Sequence, residues 1–371
     1  PAPRHAASTP RGTLRAAPVV HRRRCWWGGG MRSPTSVLSP AGFHGSGALR
    51  AHQRGRHGTS FFEGWYVKVV SADRATRLAV IPGVFLSEDG SLAEAFVQVL
   101  DGVTGQTAYH RFDLGEFRAE TTSFDVRVGT NRFSSDGIVV DVPGLSAEVR
   151  FGPVVPWPVT VKEPGAMGWY AWVPTMECYH GVVSLDHALA GWVDLGAGRV
   201  DLAGGRGYLE KDWGTAFPAG YVWMQTNHFA EPGTSLVGST ALIPWRRSTF
   251  RGDLIALRIP DGPHAGLHRF TSYTRARTTD LVVSDHEVNW AVVGRSGERL
   301  DLRATVGGRT AGLLHAPVRT QMHQRVAETL DGTVEVRLSG ADGRTWYEGV
   351  GEVAGVEVHG AIDQLIATAG R

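Results

Sequence analysis

From Ser60 onward, the chain alternates short apolar runs with clusters of turn residues. The runs are rich in β-branched and aromatic side chains, and Gly, Asp, Asn and Pro separate them, which is the pattern of strands joined by tight turns. Strands that recur every ~8–12 residues predict an all-β sandwich or barrel. The predicted strands are Trp65–Val70, Arg77–Val84, Ala95–Leu100, Phe124–Val128, Gly137–Val142, Ala147–Phe151, Gly191–Leu195, Tyr221–Asn227, Leu254–Ile259, Glu287–Val293, Leu300–Val306, Thr333–Leu338 and Thr345–Val350.

Aspartate–glycine pairs mark several of the turns between these runs. Asp-Gly favours the positive φ angles of tight hairpin turns, and 48 glycines would destabilise a helical protein. The pairs that support the strand pattern are Asp89-Gly90, Asp101-Gly102, Asp136-Gly137, Asp331-Gly332 and Asp342-Gly343. The pattern predicts a single short helix, at Ile362–Ala369.

The first 56 residues differ from the rest in composition and in hydrophobic periodicity. They are rich in Arg, Gly, Pro, Ser and Ala without periodicity, which predicts a disordered tail. The first methionine is Met31, so we expect residues 1–30 to be translated leader. Because domains usually contain ~100–200 residues, we divide the remainder into two domains, at 57–195 and 196–371.

Charge and cysteine content exclude several classes of protein. Ten of the 38 basic residues precede the first acid, Glu63, so the remaining chain has 28 basic and 36 acidic residues. This balance lacks the basic footprint of a nucleic-acid-binding protein. Two cysteines, Cys25 and Cys178, cannot build a disulfide framework, which favours a cytoplasmic protein. No stretch approaches the ~18 apolar residues of a membrane helix, and peripheral membrane contact stays open.

Two clusters combine charged groups with large aromatic side chains. The first runs from Phe61 to Lys68, and the second runs from Tyr208 to Asn227. Carboxylic acids in such partly desolvated surroundings have raised pKa values and can remain protonated. Lysine is sparse in this chain, yet two of its three lysines, Lys68 and Lys211, lie inside the clusters.

The candidate catalytic residues are the acids of these clusters and one histidine, namely Glu210, Asp212, His180 and Glu63. In an extended segment Glu210 and Asp212 point to one face and Lys211 to the other. Two carboxyl groups on one face push their pKa values apart, which can leave one of them protonated near neutral pH. The alternative is that each acid forms a structural ion pair, and that His180 is a structural histidine.

Further residues of the clusters are candidates for the wall of a substrate pocket. Large aromatic side chains contribute buried area and can face a carbocation through their ring faces. The candidates are Trp65, Tyr66, Glu177, Lys211, Trp213, Trp223, Gln225 and Asn227. Glu177, Cys178 and His180 are too close in sequence for a tetrahedral site, so no metal is expected.

Two of these motifs resemble signatures of the tocopherol cyclase-like family. The segment Phe62–Tyr66 resembles the opening motif of that family. Its second signature is matched by Glu210–Gly214, Phe217-Pro218, Trp223, Gln225 and Asn227, and more loosely by Pro174–Gly181 and Ala316-Pro317. The resemblance extends over about residues 57–360, with Asp212 where the plant members usually have Asn.

The resemblance implies a fold and a reaction. The fold would be two lipocalin-like antiparallel barrels in tandem, and the ligand a small lipophilic isoprenoid. The enzyme would be an intramolecular cyclase, an isomerase or lyase by type, that closes a chromanol ring. An acid protonates the double bond of a prenylated hydroquinone, and the phenol oxygen traps the tertiary cation, without a metal or redox cofactor. A hydratase of isoprenoids or carotenoids and a non-catalytic lipid-binding protein are the alternatives.

Overall fold

A computed structural model describes residues 39–305 and 311–368, which form two antiparallel sheets. Twelve strands, ordered β4-β3-β2-β1-β12-β10-β9-β8-β7-β6-β5 with β11 beside β10, make the first sheet. They are β1 (Phe61–Val70), β2 (Arg77–Leu86), β3 (Ala93–Asp101), β4 (Thr107–Asp113), β5 (Phe117–Ala119), β6 (Asp125–Val128), β7 (Asn131–Ser134), β8 (Gly137–Val142), β9 (Leu145–Phe151), β10 (Cys178–Asp194), β11 (Arg199–Asp201) and β12 (Arg206–Gly214).

The second sheet has ten strands in the order β16-β15-β14-β13-β22-β21-β19-β18-β17, with β20 beside β21. They are β13 (Gly220–Thr226), β14 (Ser235–Trp245), β15 (Ser248–Ile259), β16 (Gly266–Thr271), β17 (Arg277–Val283), β18 (Glu287–Val293), β19 (Arg299–Thr305), β20 (Gly312–Val318), β21 (Gln321–Ser339) and β22 (Thr345–Gly360). The described helices are α1 (Ser46–Gln53), α2 (Ile362–Ala367) and the 3-10 helices Leu114–Glu116, Gly168–Trp172 and Ser272–Thr274.

Burial along the strands shows where the two sheets meet. In β8 every second residue is buried, as expected of a strand with one face on a core and one on solvent. In β13 all seven residues are buried, and in β12 seven of nine are. These two strands, which carry the second sequence cluster, are therefore covered on both faces.

Three apolar cores support this arrangement. One is enclosed by the first sheet and contains Trp65 and Phe124. A second is enclosed by the other sheet and contains Met224 and Trp290. The third combines residues of both sheets, including Tyr66 and Trp223, so it joins them into one unit and surrounds the cleft described below.

The predicted all-β class is confirmed, and so are the two antiparallel halves and the C-terminal helix. The hydrogen-bonded order of the first sheet begins at β4 and ends at β5, and that of the second begins at β16 and ends at β17. Within the described residues no strand pairing joins either pair of edges, so both sheets are open there. Sheets that are rolled but open still bury their inner faces, which is why the strand pattern alone does not distinguish them from closed barrels.

The N-terminal segment is more ordered than predicted in the part that the structure describes. Residues 1–38, including Cys25 and Met31, lie outside the described residues. Residues 39–56 are not a tail, because they contain α1 and the buried Phe43, which packs in the first core. The backbone N–H groups of His44 and Gly45 donate to the carboxylate of Glu63, so a polar site in β1 holds this segment in place.

The chain passes from one sheet to the other between Gly214 and Gly220. Strands β11 and β12 both follow residue 195, yet they belong to the first sheet, since β12 pairs with β1 and β10. The change of sheet thus comes about 20 residues after the predicted domain boundary. The division into domains at 195/196 stays a prediction.

Candidate active site

A cleft between the two sheets collects polar and apolar side chains from both. It encloses about 1360 Å³, including the part that is open to solvent. Its walls are mostly apolar, as in sites for lipophilic ligands. The apolar lining includes Phe62, Ile81, Phe96, Met167, Met176, Phe217, Ile243, Phe250, Leu254, Leu314, Met322 and Val326. The polar lining includes Tyr66, His180, Glu210, Asp212, Tyr221 and Glu357.

Glu210 lies in the middle of this polar group and is buried. Its Oε2 atom accepts hydrogen bonds from the hydroxyl of Tyr208 at 2.5 Å and from Nε1 of Trp223 at 3.2 Å. Tyr208 belongs to β12 and Trp223 to β13, so both sheets contribute to its surroundings. Burial raises the pKa of Glu210 to about 7, although the positive charge of His180 and these two donors oppose the rise.

His180 bridges Glu210 and Asp212. It lies opposite Asp212 in the register of β10 and β12, and its Nδ1 is 2.9 Å from Oδ1 of Asp212. Its Nε2 is 3.5 Å from Oε2 of Glu210. Burial lowers the pKa of His180, but the charges of Asp212 and Glu210 outweigh burial and raise it to about 9. A pKa of about 9 favours the imidazolium at neutral pH. Nδ1 is hydrogen-bonded to Asp212, whereas Nε2 approaches Glu210 without forming a hydrogen bond among the described residues.

A second pair of buried acids, Glu328 and Glu357, faces this group from the second sheet. The two residues are directly opposite each other in β21 and β22, so their side chains share a face. Tyr66 donates its hydroxyl hydrogen to Glu328, and Tyr221 donates to Glu357 at 2.7 Å. Burial raises the pKa of Glu328 to about 7, and burial together with the charge of Glu328 raises that of Glu357 well above its usual range.

The sequence analysis missed this second pair. Neither residue lies in a predicted strand or in an aromatic cluster. A signal was present at Glu357, which stands between Val356 and Val358 in an apolar segment. An acid at the inward position of an apolar strand is rare unless it is paired.

The opposite face of β12 holds a different set of charges. Nζ of Lys211 is 2.7 Å from Oε1 of Glu63, 2.7 Å from Nδ1 of His44 and 2.5 Å from the carbonyl oxygen of Gly42. Neither Glu63 nor Lys211 is exposed to solvent or lines the cleft. Burial raises the pKa of Glu63, but Lys211 and His44 outweigh it, so the pKa is lowered. Burial lowers the pKa of Lys211 to about 8.

The structure confirms the predicted alternation along β12. Glu210 and Asp212 face the cleft, whereas Lys211 faces away from it. Two of the predicted aromatic wall residues, Tyr66 and Trp223, also line the cleft. The structure thus brings together Glu210, Asp212, His180, Tyr66 and Trp223, while Glu63 and Lys211 form a separate ion pair.

Three more of the predicted aromatic and acidic pocket residues lie away from the cleft lining. Trp65 is in the first apolar core. Trp213 stacks between His44 and Tyr179, with ring centroids 4.3 and 5.3 Å away. Glu177 precedes β10 and pairs with an arginine at the surface.

The two predicted amide residues bind polar groups beneath the cleft. Gln225 accepts a hydrogen bond at 3.0 Å from Nζ of Lys68, a fully buried lysine whose pKa burial lowers to about 7. Asn227 donates to Oδ1 of Asp186 at 3.0 Å and to the carbonyl oxygen of Gly207 at 2.9 Å. Both amides therefore connect strands of the two sheets.

One set of residues has donor atoms placed closely enough to hold a metal ion. Among the described residues, His180, Glu210 and Asp212 offer one nitrogen and two carboxylate oxygens within 4.8 Å of one another. This set differs from Glu177, Cys178 and His180, which the sequence considered. Nδ1 of His180 already binds Asp212, and Oε2 of Glu210 already accepts two hydrogen bonds, so an ion would have to displace these contacts.

The part of the chain that the structure describes contains no helix that is both long enough and apolar enough to cross a membrane.

Comparison with known proteins identifies relatives of this chain. A maize protein named "Tocopherol cyclase, chloroplastic" is 24% identical over 220 residues, which are 56% of this chain and 45% of that protein. A rice protein (Oryza sativa subsp. japonica) named "Probable tocopherol cyclase, chloroplastic" is 23% identical over 239 residues, which are 61% of this chain and 49% of that protein. The chain thus matches about half the length of these curated relatives.

Among solved structures, kievitone hydratase from Nectria haematococca is similar with a TM-score of 0.44 and 10% sequence identity. The match covers 82% of this chain and 90% of that one. A likeness at this level carries no argument about activity. The sequence pattern of the tocopherol cyclase-like family matches residues 131–360, which include β12, β13, the cleft acids Glu210 and Asp212, and the Glu328–Glu357 pair. Because this match covers more than half of the chain, the protein belongs to the tocopherol cyclase-like family.

Proposed function

We propose that the cleft catalyses the acid-promoted cyclisation of a prenylated hydroquinone to a chromanol. The observation that carries the proposal is Glu210, a buried carboxyl group with a pKa of about 7 at the wall of an apolar cleft. Protonation of an isolated double bond needs an acid that is kept from water. A carboxyl group that titrates near neutral pH is protonated in a large fraction of molecules.

The proton moves from the carboxyl group of Glu210 to the less substituted carbon of the double bond. The two π electrons form the new C–H bond and leave a tertiary carbocation. A lone pair of the phenol oxygen then forms the C–O bond, and the phenol proton returns to the Glu210 carboxylate. The reaction is an isomerisation, so no other reactant is consumed.

The neighbours of Glu210 support each stage. Tyr208 and Trp223 already donate hydrogen bonds to Oε2, so they stabilise the carboxylate that forms on proton transfer. The imidazolium of His180 adds a positive charge, and Asp212 orients it through Nδ1. The rings of Tyr66 and Trp223 both line the cleft, with their centroids 5.5 Å apart, and they would offer aromatic faces to the carbocation.

The experiment compares Glu210→Gln with the wild-type protein on a prenylated hydroquinone. Glutamine keeps the shape of the side chain and an acceptor for Tyr208, but it cannot supply the proton. We expect turnover to fall at least about 100-fold, with a melting temperature no lower than that of the wild type. The exposed Glu348→Gln is the matched control and should keep full turnover. A folded Glu210→Gln variant with full turnover would show that Glu210 is not the acid.

A hydratase is the second candidate, and the Glu328–Glu357 pair favours it. The carboxyl group of Glu357, at the cleft wall, can hold a water molecule by hydrogen bonding, and this water would then trap the cation in place of the phenol oxygen. Turnover in ¹⁸O-labelled water separates the two reactions. A hydratase incorporates the label into its product, whereas the cyclase does not. The non-catalytic alternative predicts a co-purifying lipid and no turnover of either substrate class.

A further inference from the structure

The connection between β9 and β10 presents an aromatic surface to solvent beside the cleft. Its 3-10 helix, Gly168–Trp172, has two faces. Tyr170 lines the cleft on one side. On the other side Trp169 and Trp172 are 45% and 46% exposed, and Val161 in the same connection is 57% exposed. Large apolar side chains that are exposed together, rather than singly, mark a binding surface.

Specific contacts build this surface. The indole N–H of Trp172 donates to the carbonyl oxygen of Val161 at 3.3 Å. Trp169 stacks on Tyr170 with a centroid distance of 4.0 Å and meets Trp245, at the end of β14, edge to face at 6.3 Å. Trp169 is therefore positioned by a cleft-wall residue and by the second sheet, and Trp172 by its own connection.

Basic residues adjoin, in sequence, the residues that contact the exposed indoles. Lys162 follows Val161 and is exposed, whereas the other two lysines are buried. Arg246 and Arg247, which follow Trp245, are also exposed. The nearby acid in this connection, Glu163, is paired with Arg269. The surface is thus locally cationic, although the chain after residue 62 carries more acids than bases.

We infer that this surface docks on an anionic lipid bilayer. We call it the indole surface and define it by Val161, Lys162, Trp169, Trp172, Trp245, Arg246 and Arg247. Tryptophan places an apolar body and a polar N–H at the level of lipid headgroups, where it is enriched. Lysine and arginine are attracted to the negative surface of anionic bilayers. Tryptophan and arginine are also enriched at protein interfaces, whereas lysine is depleted there, so a protein partner is the alternative outcome of the test below.

The indole surface lies beside the cleft, so docking would bring the bilayer to the entrance for substrate. This step rests on the proposed function. The same short helix holds Tyr170 in the cleft, next to Met167. A bilayer bound at Trp169 and Trp172 would therefore lie next to the cleft. A prenyl chain could then enter the cleft from the lipid without crossing water, which would cost free energy in proportion to its apolar area.

Co-sedimentation with vesicles tests docking independently of catalysis. The vesicles are pure phosphatidylcholine, or phosphatidylcholine with about a third phosphatidylglycerol. We expect the wild type to bind the anionic vesicles more tightly. Trp169→Ala/Trp172→Ala should lose at least about tenfold in affinity, because two apolar side chains no longer insert. Lys162→Gln and Arg247→Gln should each lose about fivefold, and only on anionic vesicles.

The controls are valines of similar exposure elsewhere. Val350→Ala and Val282→Ala, each 51% exposed in the wild type, should bind both vesicles as the wild type does. Vesicle binding that the tryptophan variant retains in full, or no binding by the wild type, would overturn the proposal and leave a protein partner as the alternative. Failure of the proposed function is distinguishable, since vesicles would still bind while detergent-solubilised hydroquinone would not turn over.

Discussion

Both faces of strand β12 contact a buried carboxyl group, but the groups that surround that carboxyl differ between the two faces. The buried glutamate is Glu63 of β1 on the outer face and Glu210 of β12 itself on the cleft face. On the outer face, Lys211 neutralises Glu63 at 2.7 Å, and backbone N–H groups complete the shell of that carboxylate. On the cleft face, the neighbours of Glu210 are another acid, a histidine and two neutral donors.

The difference shows how the two faces of one strand can give buried glutamates opposite pKa shifts. A lysine and the two backbone N–H groups of His44 and Gly45 favour the ionised form of Glu63, so its pKa is lowered. Burial dominates at Glu210 because no lysine or arginine among the described residues is in contact with it, and its pKa is raised. Aromatic surroundings are common to both faces, so they do not decide which acid is reactive. The number and sign of the contacting charges decide it.

The largest expected effect comes from breaking the outer pair. Lys211→Met leaves the Glu63 carboxylate buried without its cation, and we expect the free energy of unfolding to fall by about 3–5 kcal/mol. Urea denaturation measures the change. The control is Lys162→Met, at an exposed lysine, which should change stability by less than about 0.5 kcal/mol. An unchanged urea midpoint for Lys211→Met would mean that the Glu63 carboxylate does not depend on this cation.

The second prediction contrasts the pH dependence of the two faces. Turnover should fall as pH rises above about 7, because Glu210 loses the proton that it must supply. Its contribution to stability should be complete below its ordinary pKa of 4.5 and be lost as pH rises through about 7. The contribution of Glu63 to stability depends on pH in the opposite direction. Its contribution is present above pH 4.5 and is lost as pH falls through its lowered pKa.

A pH–rate profile and urea midpoints across the same range test this contrast. The Glu210→Gln variant should lose the decline in stability between pH 4.5 and about 7. A turnover that stays constant from pH 6 to about 9 would contradict the role of Glu210 as the acid.

The third prediction concerns Asp212 and Glu210, the two acids that contact His180. Asp212→Asn removes one of the two charges that raise the pKa of His180 to about 9, so that pKa should fall by about one unit or more. NMR titration of labelled histidine measures it. His187, whose pKa burial lowers to about 4, is the internal control and should not move. A His180 titration that is the same in both proteins would place the source of its raised pKa elsewhere.

The smallest expected effect is that of metal removal. We expect EDTA to leave turnover unchanged, because Asp212 binds Nδ1 of His180 and Glu210 accepts hydrogen bonds from Tyr208 and Trp223, contacts that a metal ion would have to displace. Metal analysis of the purified protein accompanies the assay. Turnover that is lost in EDTA and restored by one divalent metal would assign these three residues to a metal site.

The strand pattern and the motif of β12 were readable from the sequence because both depend on local order. In any extended segment the side chain of Lys211 points to the face opposite those of Glu210 and Asp212, and the structure confirms this arrangement. The role of each acid was less readable, since Glu63 and Glu210 have similar aromatic neighbours in sequence. Their difference depends on Gly42 and His44, which reach Lys211 across more than 160 residues of chain.

The second acid pair could not be found by the same reasoning. Glu328 and Glu357 meet only because β21 and β22 pair in one particular register. The contact of Glu328 with Tyr66 depends on how the two sheets pack, and that of Glu357 with Tyr221 on the pairing of β22 with β13. These contacts belong to long-range structure, and the local sequence offered only the acid among valines at Glu357 as a signal.

The bond between Trp223 and Glu210 has a consequence for the order of folding. Trp223 lies in β13, so Glu210 receives this donor, and its full burial, only after the second sheet has docked on the first. In a nascent chain that has formed only the first sheet, Glu210 would be an ordinary ionised carboxylate. Docking would therefore take up a proton, and calorimetry of refolding in buffers of different ionisation enthalpy should detect it near pH 6 to about 7. The raised pKa of Glu210, on which the proposed function rests, would thus arise only once the cleft is complete.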